Sequence, residues 1–204
     1  MANKKTRDER IKAEKEKKFN ASRKKLVVFP IVGAVFSVIA LILYSVKWAA
    51  VYNDGYGYEV QISGFNVLFA ALSGKYTETA FGNMAVPFYY YAKNYCVTLG
   101  VLTIISAVVV VLTLASQIIA AITKKQLFNV TSLVGGCVSF ALLLVCFSVA
   151  LSMKNSDILP VYCSGNPACS IRSYAIIPAV FSLCAAGAAL FEVINYEKLV
   201  KEYK

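Results

Sequence analysis

The sequence contains no histidine and few charged residues. Of its 204 residues, 58% are apolar and 16% are charged, whereas a soluble domain carries about a quarter charged residues. This shortage of charge indicates an integral membrane protein. Because histidine is the commonest catalytic base and the commonest metal ligand in proteins, its absence also excludes every Ser-His, Cys-His and His-metal site.

Four stretches of the chain lack Asp, Glu, Lys and Arg altogether. They hold 21, 30, 28 and 19 residues and cover 26–46, 94–123, 126–153 and 173–191. At a rise of about 1.5 Å per residue, each stretch can cross a hydrocarbon core of roughly 30 Å as a helix. We therefore predict an all-α membrane protein, a four-transmembrane-helix bundle. Its predicted spanning helices are residues 26–48, 94–123, 127–153 and 172–195.

Lys and Arg are distributed unevenly between the two sides of this predicted bundle. Sixteen of the 21 lie on the side that holds both termini and the short turn at 124–126, and five lie on the other side. Because cytoplasmic segments are enriched in Lys and Arg, we predict that both termini are cytoplasmic and that the protein lies in the plasma membrane.

The predicted cytoplasmic ends are a basic segment at residues 1–25 and a tail at 196–204. Eleven cations and four anions give the basic segment a net charge of +7, so it should contact anionic membrane lipid. Nucleic acid is not expected as a partner, since the rule that cytoplasmic segments are basic explains the charge.

Residues 49–93 form the longest predicted loop, which is external on this topology. The turn-forming sequence Asn53-Asp54-Gly55, between 50–52 and 56–62, predicts a β-hairpin. Apolar residues at helical spacing over 65–72 predict a helix that is too short to span the membrane. The bundle should therefore carry a small extracellular cap that contains a β-hairpin.

Aromatic residues are concentrated in this first external loop. Near the membrane such residues form an interfacial belt, but Tyr is also enriched among the residues that dominate protein interfaces, and both interpretations stay open. In the second interpretation the loop anchors a partner through five aromatic side chains. These candidates are Tyr52, Tyr56, Tyr58, Phe65 and Phe69.

The six cysteines differ in their predicted depth. Cys163 and Cys169 fall in the second external loop, 154–171, where an oxidising compartment favours a disulfide. Closing so short a loop stabilises the fold by roughly 2 kcal/mol. Cys96, at the external end of the second helix, could be a third participant or a free thiol. The remaining three, which should act as small apolar side chains within helices, are Cys137, Cys146 and Cys184.

Few polar side chains interrupt the predicted helices. Ion-coupled transport usually places charged residues within helices, so the uncharged stretches disfavour a self-contained pump. Glu192, at the cytoplasmic end of the fourth helix, is expected to reach interfacial water. Gln117 and Asn129 are the strongest polar groups inside the helices, and their expected role is hydrogen bonding between helices.

Small residues recur at positions where neighbouring helices can approach closely. Gly33 and Ser37, for example, are four residues apart in the first helix. Such residues either pack the monomer or form a docking face for another membrane subunit. The candidate helix-packing residues are Gly33, Gly135, Gly136, Ala185, Gly187 and Ala189.

The layout of cytoplasmic termini, a long first external loop with a hairpin, a minimal inner turn and a short second external loop resembles the claudin-like tetraspans. The resemblance implies external loops that form a small sheet and make adhesive or subunit-modulating contacts without catalysis. The family signature, Gly-Leu-Trp followed by two spaced cysteines, is absent, because Trp48 is the only tryptophan and no Gly-Leu precedes it. Residues 63–69 are also similar to the first external loop of small uncharacterised four-helix proteins of Gram-positive bacteria.

The sequence contains no Gly-rich phosphate loop, paired-carboxylate site or metal-ligand cluster. We therefore predict a protein that is not an enzyme and needs no cofactor. Its expected function is that of an accessory or interaction subunit, whose partner is another membrane protein subunit or a second copy of the chain. The alternative is an oligomeric pore or carrier for a small solute, with Gln117 and Asn129 along the path.

Overall fold

The computed structural model describes residues 2–45, 50–53, 59–62, 85–154 and 176–203, with side chains over 10–45, 97–149, 152 and 176–203. These residues form five helices and two strands. The elements are α1 (Ala2–Leu26), α2 (Val28–Leu43), β1 (Ala50–Asn53), β2 (Glu59–Ile62), α3 (Ala85–Thr123), α4 (Gln126–Lys154) and α5 (Ile176–Tyr203).

Four helices in the described part of the chain are long and apolar enough to cross a membrane. They are Arg10–Leu43, which combines α1 and α2, Val97–Thr123 within α3, Gln126–Val149 within α4, and Ile176–Tyr203, which is α5. The prediction of a helical membrane protein with four spanning helices is therefore confirmed.

α1 and α2 are separated by a single residue, Val27. Pro30 has no N–H to donate to the carbonyl of Leu26, and its ring crowds that carbonyl. The Ile31 N–H donates to the Val27 carbonyl over a long N···O distance of 3.4 Å, and Val27 itself has helical dihedral angles. The polar α1 therefore leads into the apolar α2 through a break of one residue.

α3 begins at Ala85, nine residues before the predicted start of the second spanning helix. Pro87 stands in its first turn, where a missing N–H costs little, and the aromatic residues that follow carry no turn signal. At its other end α3 is joined to α4 by only two residues. The first of these, Lys124, has φ of 56°, the left-handed conformation that commonly ends a helix.

The four spanning helices pack in a ring. α2 contacts α3, α3 contacts α4, α4 contacts α5 and α5 contacts α2, while α1 packs mainly on α5. Buried positions recur every three or four residues, as at Pro30, Gly33, Ser37 and Ala40 of α2. Each helix therefore turns one continuous face toward its neighbours, and these faces enclose the interior of the bundle.

β1 and β2 form an antiparallel ladder in which Ala50 lies opposite Ile62 and Asn53 lies opposite Glu59. Asn53, the first residue of the predicted turn at 53–55, belongs to β1, and the other two residues of that turn lie outside the described residues. The predicted short helix at 65–72 and the predicted second external loop at 154–171, apart from Lys154 at the end of α4, also lie outside the described residues. The position of this ladder in an external cap stays a prediction.

Candidate functional site

The interior of the bundle combines mostly small apolar residues with buried polar ones, whereas large apolar side chains cover its exterior. Side chains such as those of Leu112, at 61% exposure, and Ile122, at 74%, face outward. Such a distribution suits a lipid environment, in which helices associate through small residues and hydrogen bonds rather than through exclusion of apolar surface. The buried polar residues are Ser37, Thr103, Ser106, Thr113, Gln117, Asn129, Ser132, Ser139, Ser182 and Glu192.

Gln117 joins three helices near the middle of this interior. Its side chain is fully buried, its Oε1 accepts a hydrogen bond from Ser37 Oγ at 2.8 Å, and its Nε2 donates to the Ala185 carbonyl at 3.5 Å. A Cβ atom on Gly33 would lie 2.6 Å from that same Nε2. Gly33 therefore leaves the space that lets Gln117 link α3 to α2 and α5.

A group of hydroxyls lies beside Gln117, and each of them donates its proton in a hydrogen bond within the bundle. Ser139 donates to Ser182 Oγ at 3.2 Å, which links α4 to α5. Ser182 donates in turn to the Pro178 carbonyl of its own helix at 3.0 Å, and Thr113 donates to the Val109 carbonyl. The gap that these hydroxyls line has no room for a water molecule, so the middle of the bundle is closed.

Tyr44 makes the corresponding link at the opposite end of α2 from α1. Its hydroxyl lies 2.6 Å from Ser106 Oγ, and Ser106 donates to the Thr103 carbonyl at 3.0 Å. The bond between these two hydroxyls links α2 to α3. Cys146 of α4 is fully buried, as expected for a cysteine that acts as a small apolar side chain.

Glu192 occupies the other end of the interior, near Arg23 of α1 and Gln126 of α4. Only 6% of Glu192 is exposed, so the prediction that it reaches interfacial water is wrong. The physical reason is its register: Ser182, Ala185 and Ala189 define the buried face of α5, and Glu192 follows on that face. This spacing was visible in the sequence and could have located the residue.

Five buried polar atoms at this end have no hydrogen-bond partner among the described residues. They are Arg23 Nε, Gln126 Nε2, Gln126 Oε1, Asn129 Oδ1 and Glu192 Oε2. An unsatisfied buried polar group costs about 1–3 kcal/mol, so this end of the bundle is less well satisfied than its middle. We call these four residues the inner polar cluster.

Arg23 ties the inner polar cluster to two other parts of the chain. Its Nη2 donates to the Lys124 carbonyl in the α3–α4 connection, and its guanidinium lies 5.6 Å from the centre of the Tyr196 ring of α5. No feature of the sequence distinguishes Arg23 for this role, because it is one of eleven cations in the first 25 residues. The contact depends on how α1 and α5 pack.

The predicted helix-packing residues differ in their surroundings. Gly135 faces Thr113, and a Cβ atom on Gly136 would lie 2.8 Å from that of Ala186. Gly33 faces Gln117, as described above, and Ala185 and Ala189 are 1% exposed. A Cβ atom on Gly187 would meet nothing within 4 Å. Five of the six predicted residues therefore lie inside the monomer, and Gly187 alone borders open space.

The predicted external residues lie largely outside the described part of the chain. Tyr52 belongs to β1, although its side chain is not described. The other four aromatic candidates are Tyr56, Tyr58, Phe65 and Phe69, and the predicted disulfide partners are Cys163 and Cys169. Their proposed roles stay predictions.

Two other cysteines are exposed on the bundle surface, Cys137 of α4 and Cys184 of α5. Within the residues that the structure describes, no three His, Cys, Asp or Glu side chains come together in a way that could hold a metal ion. No family model, curated protein or solved structure matches this chain. Its class, a helical membrane protein with four spanning helices, follows from its own geometry.

Proposed function

We propose that this protein is a non-enzymatic accessory or interaction subunit of the plasma membrane, with both termini in the cytoplasm. The observation that supports this function is the closed bundle interior. Gln117 of α3 donates to the Ala185 carbonyl of α5 and Ser139 of α4 donates to Ser182 of α5, and the gap lined by Ser139 and Ser182 has no room for water. A bundle closed in this way acts through its surfaces, which are its outer helix faces and its external loop.

The register of the β1–β2 ladder adds support for contacts through the external loop. Positions 50, 52, 60 and 62 share one face of the ladder, and 51, 53, 59 and 61 share the other. The first face carries Ala, Tyr, Val and Ile in the sequence, while the second includes Asn, Glu and Gln. An apolar, aromatic face beside a polar one suits a small cap that contacts another protein, as in the claudin-like layout.

The external-loop contact is tested by replacing Phe65 and Phe69 with Ser in the full-length protein. Partners are crosslinked in the native membrane and co-purified with either form. We expect the double variant to lose the partner while the reaction of buried Cys146 with maleimide stays slow, which reports an intact bundle. Val67→Ser, about 200° around the predicted short helix from Phe65 and about 160° from Phe69, is the matched control on the opposite side. Unchanged co-purification of the double variant contradicts a role for the loop.

A pore or carrier remains the competing function. Gln117 and Asn129 are both at most 1% exposed and lie between helices of one bundle, so a path along them would run through the monomer. Flux of ions or small solutes into liposomes that contain the purified protein, lost on Gln117→Leu, would favour the pore over the accessory subunit. The proposed orientation is tested with a tag at the N-terminus of the protein. A protease added to intact cells should leave this tag uncut if the N-terminus is cytoplasmic.

A further inference from the structure

α1 is a polar helix with little to stabilise it along much of its length. Every residue from Arg10 to Lys18 is exposed. The one ion pair in the described chain is that between Lys18 Nζ and Glu14 Oε1, at 2.9 Å. A helix that is polar all round needs many such pairs or a second surface against it, because short isolated helices are marginal in water.

The second half of α1 does have a neighbour, the end of α5. The ring of Phe19 lies edge-on to Tyr196 and to Tyr203, with centroid distances of 6.4 Å to each. Arg23 stacks over Tyr196 one turn further along. α1 and the end of α5 therefore project from the bundle together as a pair of helices.

An open cleft of about 340 Å³ lies between these two helices. Two cationic residues, Lys12 and Lys15, and one anionic residue, Glu16, line the cleft together with the partly exposed aromatic residues Phe19 and Tyr203. We call this the α1–α5 cleft. It combines an excess of positive charge with an apolar aromatic surface.

The α1–α5 cleft stands away from the lipid. Lys15 precedes Leu26, where the uncharged stretch begins, by eleven residues, and Tyr203 follows Phe191, where the last one ends, by twelve. At about 1.5 Å per residue these helical segments extend roughly 17 and 18 Å. The headgroup layer extends only about 5–8 Å beyond the hydrocarbon on each side. With the hydrocarbon boundary at Leu26 and Phe191, the cleft lies beyond the headgroup layer, which favours a protein segment as its occupant and leaves the cations nearer Leu26 to contact lipid.

We propose that the α1–α5 cleft binds an acidic segment of a partner protein, on the side of the membrane where both termini lie. Carboxylates of the segment pair with Lys12 and Lys15, and an apolar side chain of the segment packs on Phe19 and Tyr203. Such a contact also supplies the second surface that α1 lacks. It goes beyond the function proposed above, which concerns the outer helix faces and the external loop.

The test uses the full-length protein in nanodiscs of phosphatidylcholine, which carry no net charge. The probe is a fluorescein-labelled peptide, Glu-Glu-Phe-Glu-Glu-Leu-Glu-Glu, whose binding is measured by fluorescence anisotropy. Lys12→Glu combined with Lys15→Glu is expected to raise the Kd at least tenfold. Replacing the Phe and Leu of the probe with Ser is expected to weaken binding to the unchanged protein by a similar factor.

The matched control reverses Arg10 and Lys17 to Glu. These residues are seven apart and share a helix face, and Lys12 lies about 200° around the helix from Arg10, so the control makes the same charge change on the opposite side. It should change the Kd no more than threefold. Equal loss in both variants, or no binding of the probe, would overturn the proposal.

Two other polyanions test whether the cleft binds lipid or nucleic acid instead of a protein segment. Phosphatidylglycerol vesicles or poly-U RNA that bind more tightly than the peptide, with the same sensitivity to Lys12→Glu and Lys15→Glu, would assign the cleft to lipid or nucleic acid and refute the protein partner. Circular dichroism and slow labelling of Cys146 confirm that each variant is folded. Because Phe65 and Phe69 are unchanged in these variants, failure here leaves the external-loop proposal standing.

Discussion

The close approach of α4 and α5 can be tested with two glycines that differ only in their surroundings. Gly136 and Gly187 both lie inside helices. A Cβ atom at residue 136 would lie 2.8 Å from the Cβ of Ala186 and 3.0 Å from its Cα and nitrogen atoms, whereas one at residue 187 meets nothing within 4 Å. Replacing each glycine with Ala therefore adds the same methyl group to a closed site and to an open one.

The expected difference in stability follows from these distances. Carbon atoms in contact normally lie about 3.5–4.0 Å apart, and backbone atoms of α5 cannot rotate away, so α4 and α5 must separate in Gly136→Ala. Overpacking of this kind costs about 1–3 kcal/mol. The gain in helix propensity, up to about 1 kcal/mol, applies to both variants and cancels in the comparison. Gly136→Ala should thus be about 1–3 kcal/mol less stable than Gly187→Ala.

Cys146 provides the assay, because it is fully buried and reacts only when the bundle opens. Its labelling by N-ethylmaleimide in detergent micelles is followed by mass spectrometry. A difference of 1–3 kcal/mol corresponds to about 5–150-fold faster labelling in Gly136→Ala than in Gly187→Ala. The exposed Cys137 and Cys184 should react at the same rate in both variants and serve as internal controls. Equal rates at Cys146 would refute the packing argument.

Three further substitutions test the links between helices. Gln117→Leu removes the acceptor of the Ser37 hydroxyl, so the free energy of unfolding should fall by about 1–3 kcal/mol. The same thiol-labelling assay measures this change, and no change would contradict the central role of Gln117. Tyr44→Phe removes one hydrogen bond but leaves Ser106 its backbone acceptor, and should cost only about 0.5–1.5 kcal/mol, so a larger loss would point to a contact beyond this bond. Arg23→Ala removes the contacts of α1 with the α3–α4 connection and with an aromatic ring of α5. Trypsin should then cleave α1 faster in nanodiscs, and an unchanged cleavage rate would show that Arg23 does not hold α1 in place.

The sequence alone predicts the spanning helices, because each is marked by a continuous uncharged stretch and no contact with another part of the chain is needed to recognise it. About 20 uncharged apolar residues must form a helix to cross lipid, whatever else the chain does. The interhelical role of Gln117 was also predictable, since an amide within an apolar helix needs partners from neighbouring helices. Uncharged stretches do not predict the start of α3 at Ala85, because Lys93 ends the stretch while the helix continues past it.

The inner polar cluster could be predicted only in part. The spacing of small residues on α5 places Glu192 on the buried face of that helix. Its closeness to the charged end of α5 suggests exposure instead, and this second signal is misleading. Its approach to Arg23 and Gln126 depends on which helices are neighbours, and a single sequence does not contain this information. The same holds for the α1–α5 cleft, because Phe19 and Tyr203 come from opposite ends of the chain.

The two-residue connection between α3 and α4 has a mechanical consequence. Lys124 has the backbone conformation that ends a helix, its N–H donates to the Ala120 carbonyl at 2.8 Å, and α4 starts two residues later. A connection of two residues is too short to let α3 slide or rotate against α4. Any rearrangement of the bundle must therefore carry these two helices as one rigid piece, with the motion taken up where they meet α2 and α5. The Arg23 contact with the Lys124 carbonyl places α1 at the inner end of this rigid piece.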